Sequence, residues 1–230
     1  MKSLNNWLLV LSVLSCFGCS SPVHEDDRGC AFVSDSIQYR VEFMSAGCVR
    51  ILSFPEGDTL VTKRLVVDSE KPAFKDYKWE DTGQKLLFRT RELSVVFDKA
   101  DAAFIFQETS TGKLLLKEKG DRKARNFKRS VAGGEQCLEV TQCFVPTEDE
   151  AIYGLGQYQN GIMNYRGKSV LLLQANMDIV NPFLISTNGY GVLWDNYSST
   201  KFEDTKEGYS FTSEVGASGS PKNDISRSMN

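Results

Sequence analysis

Residues 37–43, IQYRVEF, decide the fold class, because apolar and polar residues alternate through them without a break. Successive side chains of a strand point to opposite faces, so this pattern places Ile37, Tyr39, Val41 and Phe43 on one half-buried face. The same pattern predicts further short strands at residues 47–54, 86–90, 93–97, 103–107, 114–118 and 138–145. Short strands about ten residues apart favour an all-β antiparallel β-sandwich, and no apolar stripe at helical spacing of useful length interrupts them.

A tight hairpin is predicted towards the end of this strand pattern. Asn188-Gly189 separates two apolar runs, and this dipeptide between such runs is a strong short-range hairpin signal. The two strands are expected at residues 183–186 and 190–194. The hairpin extends the sandwich beyond the seven strands predicted upstream.

The charge and cysteine patterns exclude several function classes. The 230 residues carry a net charge of −3 with no basic stripe, so no nucleic-acid partner is expected. The basic segment 121–130, DRKARNFKRS, is interpreted as a solvated loop or a charged strand edge. His24 is the one histidine and the cysteines after residue 19 form no CxxC pair, so no metal or other cofactor is expected. Four cysteines, Cys30, Cys48, Cys137 and Cys143, are predicted to be free buried thiols.

The first residues, MKSLNNWLLVLSVLSCFGCSS, have the pattern of a secretory leader: a lysine, a short apolar run, then small residues around cysteine. They resemble a bacterial lipoprotein signal over residues 1–19, with Cys19 as the acylated residue. Cys16 is the alternative, as are ordinary leader cysteines lost on cleavage. We therefore expect an exported protein anchored to the outer membrane by lipid only, facing the cell surface or the periplasm.

Two segments are predicted to lie outside the folded domain. Residues 20–30 are polar and acidic, and we interpret them as a tether. Residues 213–230 lack aromatic side chains and are predicted to be a disordered or aberrant tail. The folded domain is therefore expected at residues 31–212.

Residues 152–168, IYGLGQYQNGIMNYRGK, contain four glycines, three tyrosines and a run of amides. Gly154 and Gly156 permit positive φ and close backbone approach, so we predict a turn over residues 153–157 that packs against a neighbouring domain. Tyrosines and amides together are also a surface that suits sugars, which is the alternative interpretation. A dinucleotide fingerprint is excluded, because the third glycine and a following helix are missing.

A family resemblance rests on residues 148–199. This segment holds an acidic run, Tyr-Gly-Leu-Gly, an amide-rich turn with Arg-Gly, an Asp-containing loop, a Pro-Phe strand and Tyr-Gly-Val-Leu-Trp-Asp-Asn. It resembles the N-terminal, galactose-mutarotase-like β-sandwich of glycoside hydrolase family 31, the retaining α-glucosidases and α-xylosidases. Within this family the segment is most similar to bacterial α-xylosidases. The strands upstream of residue 148 resemble the same domain less closely. A free mutarotase is not expected, because His24 lies outside the predicted domain and no other histidine could act as its base.

The resemblance implies an accessory role in carbohydrate degradation. Family 31 enzymes place both catalytic aspartates on a (β/α)8 barrel that follows this domain, so no catalytic residue is predicted here and the chain is interpreted as truncated before that barrel. The loop at residues 174–183, QANMDIVNPF, lies where a loop of this domain reaches the substrate, which makes Asn176 and Asp178 the predicted substrate-binding residues. Asp178 as a simple cap or turn residue is the alternative. The expected partners are an oligosaccharide or polysaccharide and the barrel; a free-standing carbohydrate-binding lipoprotein is the rival function.

Overall fold

The computed structural model describes residues 22–58, 66, 68, 72–120, 125–132 and 135–213. Within these ranges the chain forms seventeen strands and no helix. The strands are β1 His24–Glu25, β2 Cys30–Ser34, β3 Ile37–Ser45, β4 Cys48–Pro55, β5 Lys78–Asp81, β6 Lys85–Arg89, β7 Leu93–Asp98, β8 Ala103–Glu108, β9 Leu114–Glu118, β10 Arg125–Ala132, β11 Glu135–Val145, β12 Ile152–Gln157, β13 Ser169–Leu172, β14 Ile179–Ser186, β15 Gly191–Leu193, β16 Thr200–Thr205 and β17 Gly208–Ser213.

These strands make one long sheet and two small ones. The long sheet has ten strands in the order β13-β16-β17-β11-β9-β8-β7-β6-β5, with β10 paired to β11. The first small sheet has the order β1-β2-β3-β4, and the second has the order β12-β14-β15. The strand pairs are antiparallel throughout, so the predicted all-β antiparallel sandwich is confirmed.

Two apolar cores hold the small sheets against the long one. The first core joins the four-stranded sheet to the β6–β8 part of the long sheet, and it includes the aromatic residues Phe32, Tyr39, Phe97 and Phe104. The second joins the three-stranded sheet to β11, β16 and β17. The alternation at residues 37–43 is confirmed, because Tyr39, Val41 and Phe43 are buried and Ile37 packs partly buried against the same core.

The hairpin and the short strands are also confirmed. Strands β14 and β15 pair on either side of Asn188-Gly189, and Gly189 has a φ of 94°, which suits glycine. The segments predicted as strands at residues 114–118 and 93–97 correspond to β9 and β7. The two-residue alternation of apolar and polar side chains, together with the Asn-Gly turn signal, therefore predicted the positions of most of the strands.

The N-terminal domain boundary differs from the predicted one. Part of the segment interpreted as a tether is a strand, because His24–Glu25 pairs with β2 and Cys30 is fully buried. The Glu25 carboxylate accepts hydrogen bonds from the Tyr77 hydroxyl at 3.0 Å and the Trp79 indole at 2.9 Å. These partners lie more than fifty residues away, so the local polarity of the segment could not reveal them.

The C-terminal boundary differs by a smaller amount. Ser213, the first residue of the predicted tail, ends β17 and is buried. Its hydroxyl accepts a hydrogen bond from the Trp194 indole at 2.9 Å. The predicted leader with Cys16 and Cys19, and the rest of the predicted tail, lie outside the described residues.

The basic segment also differs in part from its interpretation. From Arg125 onward the segment forms β10, whose one neighbour in the described sheet is β11. This position agrees with the predicted charged strand edge. Arg125 itself is buried, however, and its guanidinium donates to Gln142 Oε1 at 2.6 Å and to Glu118. A buried charge requires such a partner, and Glu118 comes from β9.

Cysteine burial is mixed. Cys30 is buried and Cys143 partly buried, but Cys48 is exposed, so the prediction of buried thiols is wrong for Cys48. The Cys137 side chain lies outside the described residues. Across the described ranges, no helix is long and apolar enough to cross a membrane.

Candidate functional site

The glycine-rich segment forms a strand and not the predicted turn. Strand β12 pairs with β14 on both sides of a bulge between Gly154 and Gly156. Leu155, at the bulge, has a φ of 66° and is fully buried. The predicted close approach is confirmed, because an added Cβ would lie 2.5 Å from the Phe183 carbonyl oxygen at Gly154 and 2.2 Å from that of Ile179 at Gly156. The glycines therefore let two strands lie against each other across a bulge.

The amides and arginine that follow β12 serve mainly the architecture. Asn164 Oδ1 accepts the backbone N–H groups of Ile152 and Arg166, both at 3.1 Å. The Arg166 guanidinium donates to Asp204 Oδ2 at 2.8 Å and to the Glu150 carbonyl at 2.9 Å. These contacts fasten residues 164–168 to the beginning of β12 and to β16.

A buried carboxylate that sequence reasoning missed fixes the hairpin beside this segment. Glu150 is buried, and its side chain accepts the Thr147 backbone N–H at 2.8 Å, the Ser186 hydroxyl at 2.7 Å and the Tyr190 hydroxyl. Burial raises the pKa of the Tyr190 hydroxyl, and its hydrogen bond to the Glu150 carboxylate raises this pKa further. Ser186 and Tyr190 flank the Asn188-Gly189 turn, so no local pattern could identify them as partners of the acidic run.

Asn176 and Asp178 lie in the connection between two sheets. Strand β13 ends at Leu172 in the long sheet and β14 begins at Ile179 in the three-stranded sheet, so the connection crosses from one layer of the sandwich to the other. Asn176 and Met177 form the centre of a turn that closes where the Asp178 N–H donates to the Ala175 carbonyl at 3.3 Å. Both predicted residues are therefore brought together at one tight turn.

The Asp178 carboxylate is not used by the fold. Among the described residues it accepts no hydrogen bond and forms no ion pair, although the residue is half-buried. A cap or turn role would place a carboxylate oxygen on a nearby backbone N–H, whereas here the backbone of Asp178 itself closes the turn. The exposed Asn176 side chain likewise makes no hydrogen bond within the described part of the chain. Both side chains are available to a ligand.

Tyr158, just after β12, is influenced by the charge of Asp178. Its hydroxyl donates to the Leu155 carbonyl at 3.0 Å. Burial raises the pKa of Tyr158 to about 12, with smaller contributions from Tyr165 and from the charge of Asp178. The charge of Asp178 therefore reaches the tyrosine at the end of the glycine-rich segment. No group of His, Cys, Asp or Glu in the described ranges is placed to hold a metal ion.

An exposed apolar face adjoins this turn on the three-stranded sheet. Paired residues of adjacent strands point to the same side, and Tyr153 faces Ile185 while Phe183 faces Leu193. These four residues, here called the outer apolar face, are between 37% and 52% exposed. Further apolar side chains are exposed beside or within the connection: Leu171, Leu173, Met177 and Ile179. Contiguous apolar surface of this kind marks a contact site.

Residues 38–203 match the family model of the glycosyl hydrolase 31 N-terminal galactose mutarotase-like domain. The chain belongs to this family. The resemblance seen over residues 148–199 is confirmed, and the match extends it upstream to residue 38, in β3 of the first small sheet. In this family 31 domain, the all-β class and the sandwich type both agree with the expectation from sequence.

The known proteins similar to this family 31 domain include several α-xylosidases. An α-xylosidase of Saccharolobus solfataricus is 34% identical over 178 residues, which cover 71% of this chain and 23% of that protein. The crystal structure of a family 31 α-xylosidase from Xanthomonas citri superimposes with a TM-score of 0.70 at 31% identity, covering 80% of this chain and 20% of the other. A soil-metagenome α-xylosidase complexed with xylose has the same fold, with a TM-score of 0.71 at 23% identity, over 86% of this chain and 31% of that one. The chain thus spans between about a fifth and a third of these proteins.

Proposed function

We propose that this family 31 domain is the N-terminal accessory domain of a retaining α-glycosidase that acts on oligosaccharides or polysaccharides. It supplies a substrate loop and a packing surface to a (β/α)8 barrel that carries the catalytic aspartates. The α-xylosidases at 34% and 31% identity favour an α-xylosidase over an α-glucosidase. The observation that carries the proposal is the Asp178 carboxylate, which a tight turn presents without a partner among the described residues.

The chemistry of that carboxylate suits a sugar. An ionised carboxylate accepts hydrogen bonds through both oxygens, so it can hold two neighbouring hydroxyls of one sugar ring. A few such polar groups fix the orientation of a ligand in a site whose remaining walls are apolar or aromatic. Asn176 shares the turn with Asp178, and Tyr158 is near enough for the Asp178 charge to raise its pKa, so both can contribute polar groups to such a site.

The outer apolar face supports the second part of the proposal. Isolated exposed apolar residues need no explanation, but here four of them share one face of a three-stranded sheet. Covering them stabilises an interface by removing apolar surface from water. A barrel seated on this sheet would stand next to the turn that carries Asp178, because β14 begins directly after it.

A chimeric enzyme tests this function. Residues 22–213 replace the corresponding domain of the Saccharolobus solfataricus α-xylosidase, and hydrolysis of an aryl α-xyloside is measured. We expect the chimera to be active and the 230-residue chain alone to show no turnover above the blank. Because apolar residues drive the interface, Ile185→Asp with Leu193→Asp should abolish activity in the chimera, whereas Lys78→Asp with Lys206→Asp, at exposed positions outside the three-stranded sheet, should not. Turnover by the chain alone that survives repurification, or an inactive chimera, would contradict the proposal.

We also propose that the protein is exported and anchored to the outer membrane through a lipid on Cys19. The short apolar leader that ends in Gly18-Cys19 supports this. Val23 already packs against the first core, four residues after Cys19. The lipid would therefore hold the domain within about 14 Å of the bilayer, without a long tether.

Metabolic labelling with a fatty acid in a Gram-negative host tests the anchor. The unchanged chain should carry the label, and Cys19→Ala should lose it because the acylated thiol is gone. Cys16→Ala serves as the matched control and should keep the label. Full labelling of the Cys19 variant with loss in the Cys16 variant would move the anchor to Cys16.

A further inference from the structure

One glutamine side chain spans the turn that carries Asn176 and Asp178. Gln174 Nε2 donates to the Asp178 backbone carbonyl at 2.9 Å, and Gln174 Oε1 accepts the Val180 backbone N–H at 3.1 Å. Both distances are those of ordinary hydrogen bonds. A single planar amide therefore connects the residue before the turn to the last residue of the turn and to Val180, two residues further on.

Apart from this side chain, the turn is held by an isolated antiparallel bridge between Ala175 and Asp178. Its own backbone hydrogen bond, from the Asp178 N–H to the Ala175 carbonyl, is 3.3 Å long. Met177 at its centre has a φ of 71°, a region that non-glycine residues seldom occupy, and its side chain is 67% exposed. A strained conformation persists where the surroundings determine it, and exposed Met177 receives little such support from packing.

The same amide ties the turn to the sheet. Val180, which donates to Gln174, is paired with Gly156 of β12 across the bulge. Asp178, which accepts from Gln174, carries the unpartnered carboxylate. Gln174 thus couples the orientation of Asp178 to the bulged pairing of β12 and β14.

We propose that Gln174 is a positioning residue, which holds Asp178 in the orientation that binds a sugar hydroxyl. The inference rests on the proposed function of Asp178. Gln174 acts through the backbone of the turn and not by touching the sugar. Preorganisation of this kind matters because small displacements of a substrate-orienting group reduce the rate.

The effect of the Gln174 side chain on the turn can be measured in the full 230-residue chain without any substrate. In Gln174→Ala, exchange of the Val180 amide hydrogen, followed by NMR, should accelerate about tenfold, because the N–H loses its acceptor. Gln84→Ala, at an exposed glutamine of another turn, is the control and should leave Val180 unchanged. Unchanged Val180 exchange in the Gln174 variant would overturn the inference.

A conservative variant separates the two hydrogen bonds. Gln174→Glu keeps an oxygen for the Val180 N–H but has no N–H for the Asp178 carbonyl. We expect protected Val180 exchange together with reduced activity of the chimera towards the aryl α-xyloside. Full activity of this variant would show that the contact to Asp178 is dispensable and would overturn the proposal.

A double-mutant cycle in the chimera distinguishes failure of this inference from failure of the proposed function. Gln174→Ala should lower kcat/KM about tenfold in the unchanged background and have no effect when Asp178 is already alanine. An equal loss in both backgrounds, or no loss in the first, overturns the role of Gln174 alone. If Asp178→Ala leaves kcat/KM unchanged, both proposals fail.

Discussion

Gly156→Ala is expected to lower the free energy of unfolding by about 4 kcal/mol, which is large for a single methyl group. The new Cβ would lie 2.2 Å from the Ile179 carbonyl oxygen and 2.9 Å from the Asn181 nitrogen, both backbone atoms of β14. Gly156 also has a φ of 124°, which side chains other than hydrogen rarely allow. Because the neighbours are backbone and not flexible side chains, the strands must separate to relieve the contact.

Urea denaturation of the full chain measures this effect. Gly161→Ala is the matched control, since Gly161 also has positive φ, 68°, but an added Cβ there meets no atom within 4 Å. The control should lose about 1 kcal/mol, the usual cost of a left-handed conformation. Similar losses for both variants would show that conformation, and not close strand approach, sets the requirement for glycine at position 156.

The same substitution should also disturb the candidate site. Gly156 pairs with Val180, and Val180 holds the amide of Gln174 beside the turn. Displacing β14 from β12 therefore moves the anchor of the turn that carries Asp178. Architecture and candidate site are linked at this bulge, although no residue of the bulge is proposed to touch a sugar.

Regular patterns allowed most of the sandwich to be predicted. A period of two residues belongs to strands alone, which is why residues 37–43 identified β3 and its buried face. Asn188-Gly189 fixed the hairpin because its backbone preference is local. Gly154 and Gly156 were interpreted wrongly as a turn, since glycine marks turns and bulges alike and the partner strand that decides between them comes later in the chain.

Interaction partners that are distant in sequence explain the other differences between the predicted and the observed structure. The acidic start of the domain and the basic segment both looked solvated. Glu25 is in fact held by Tyr77 and Trp79, and Arg125 is buried on Glu118. Charge patterns describe single segments, whereas burial depends on what another strand places opposite them.

The candidate site was predictable only in part. The resemblance implied Asn176 and Asp178, but it could not decide between a sugar contact and a turn residue. The folded chain adds that the described residues give the carboxylate no internal partner, and the decision itself rests on the kinetics and stability of the Asp178 variants. Gln174 could not be identified from sequence either, because its role comes from two hydrogen bonds across a turn.

Asp178→Ala is expected to lower kcat/KM of the chimera by about 2 to 4 kcal/mol, or roughly 30- to 1000-fold. The loss arises because sugar hydroxyls are left without an acceptor in a site from which water is excluded. Stability should hardly change, since the described residues make no bond to this carboxylate. Asn176→Ala should cost less, about 1 kcal/mol, because an amide forms weaker hydrogen bonds than a carboxylate.

Kinetics with an aryl α-xyloside and melting temperatures for each variant measure these effects together. Asp178→Asn keeps the size of the side chain but loses its charge, so most of the loss should remain if the carboxylate accepts from hydroxyls. Asp149→Ala, at an exposed turn aspartate whose carboxylate accepts no hydrogen bond in the described part, is the control and should leave kcat/KM unchanged. A turn residue would give the opposite result, a loss of about 1 kcal/mol in stability with intact kinetics. That outcome would remove Asp178 from the site, and with it the strongest link between this turn and a sugar.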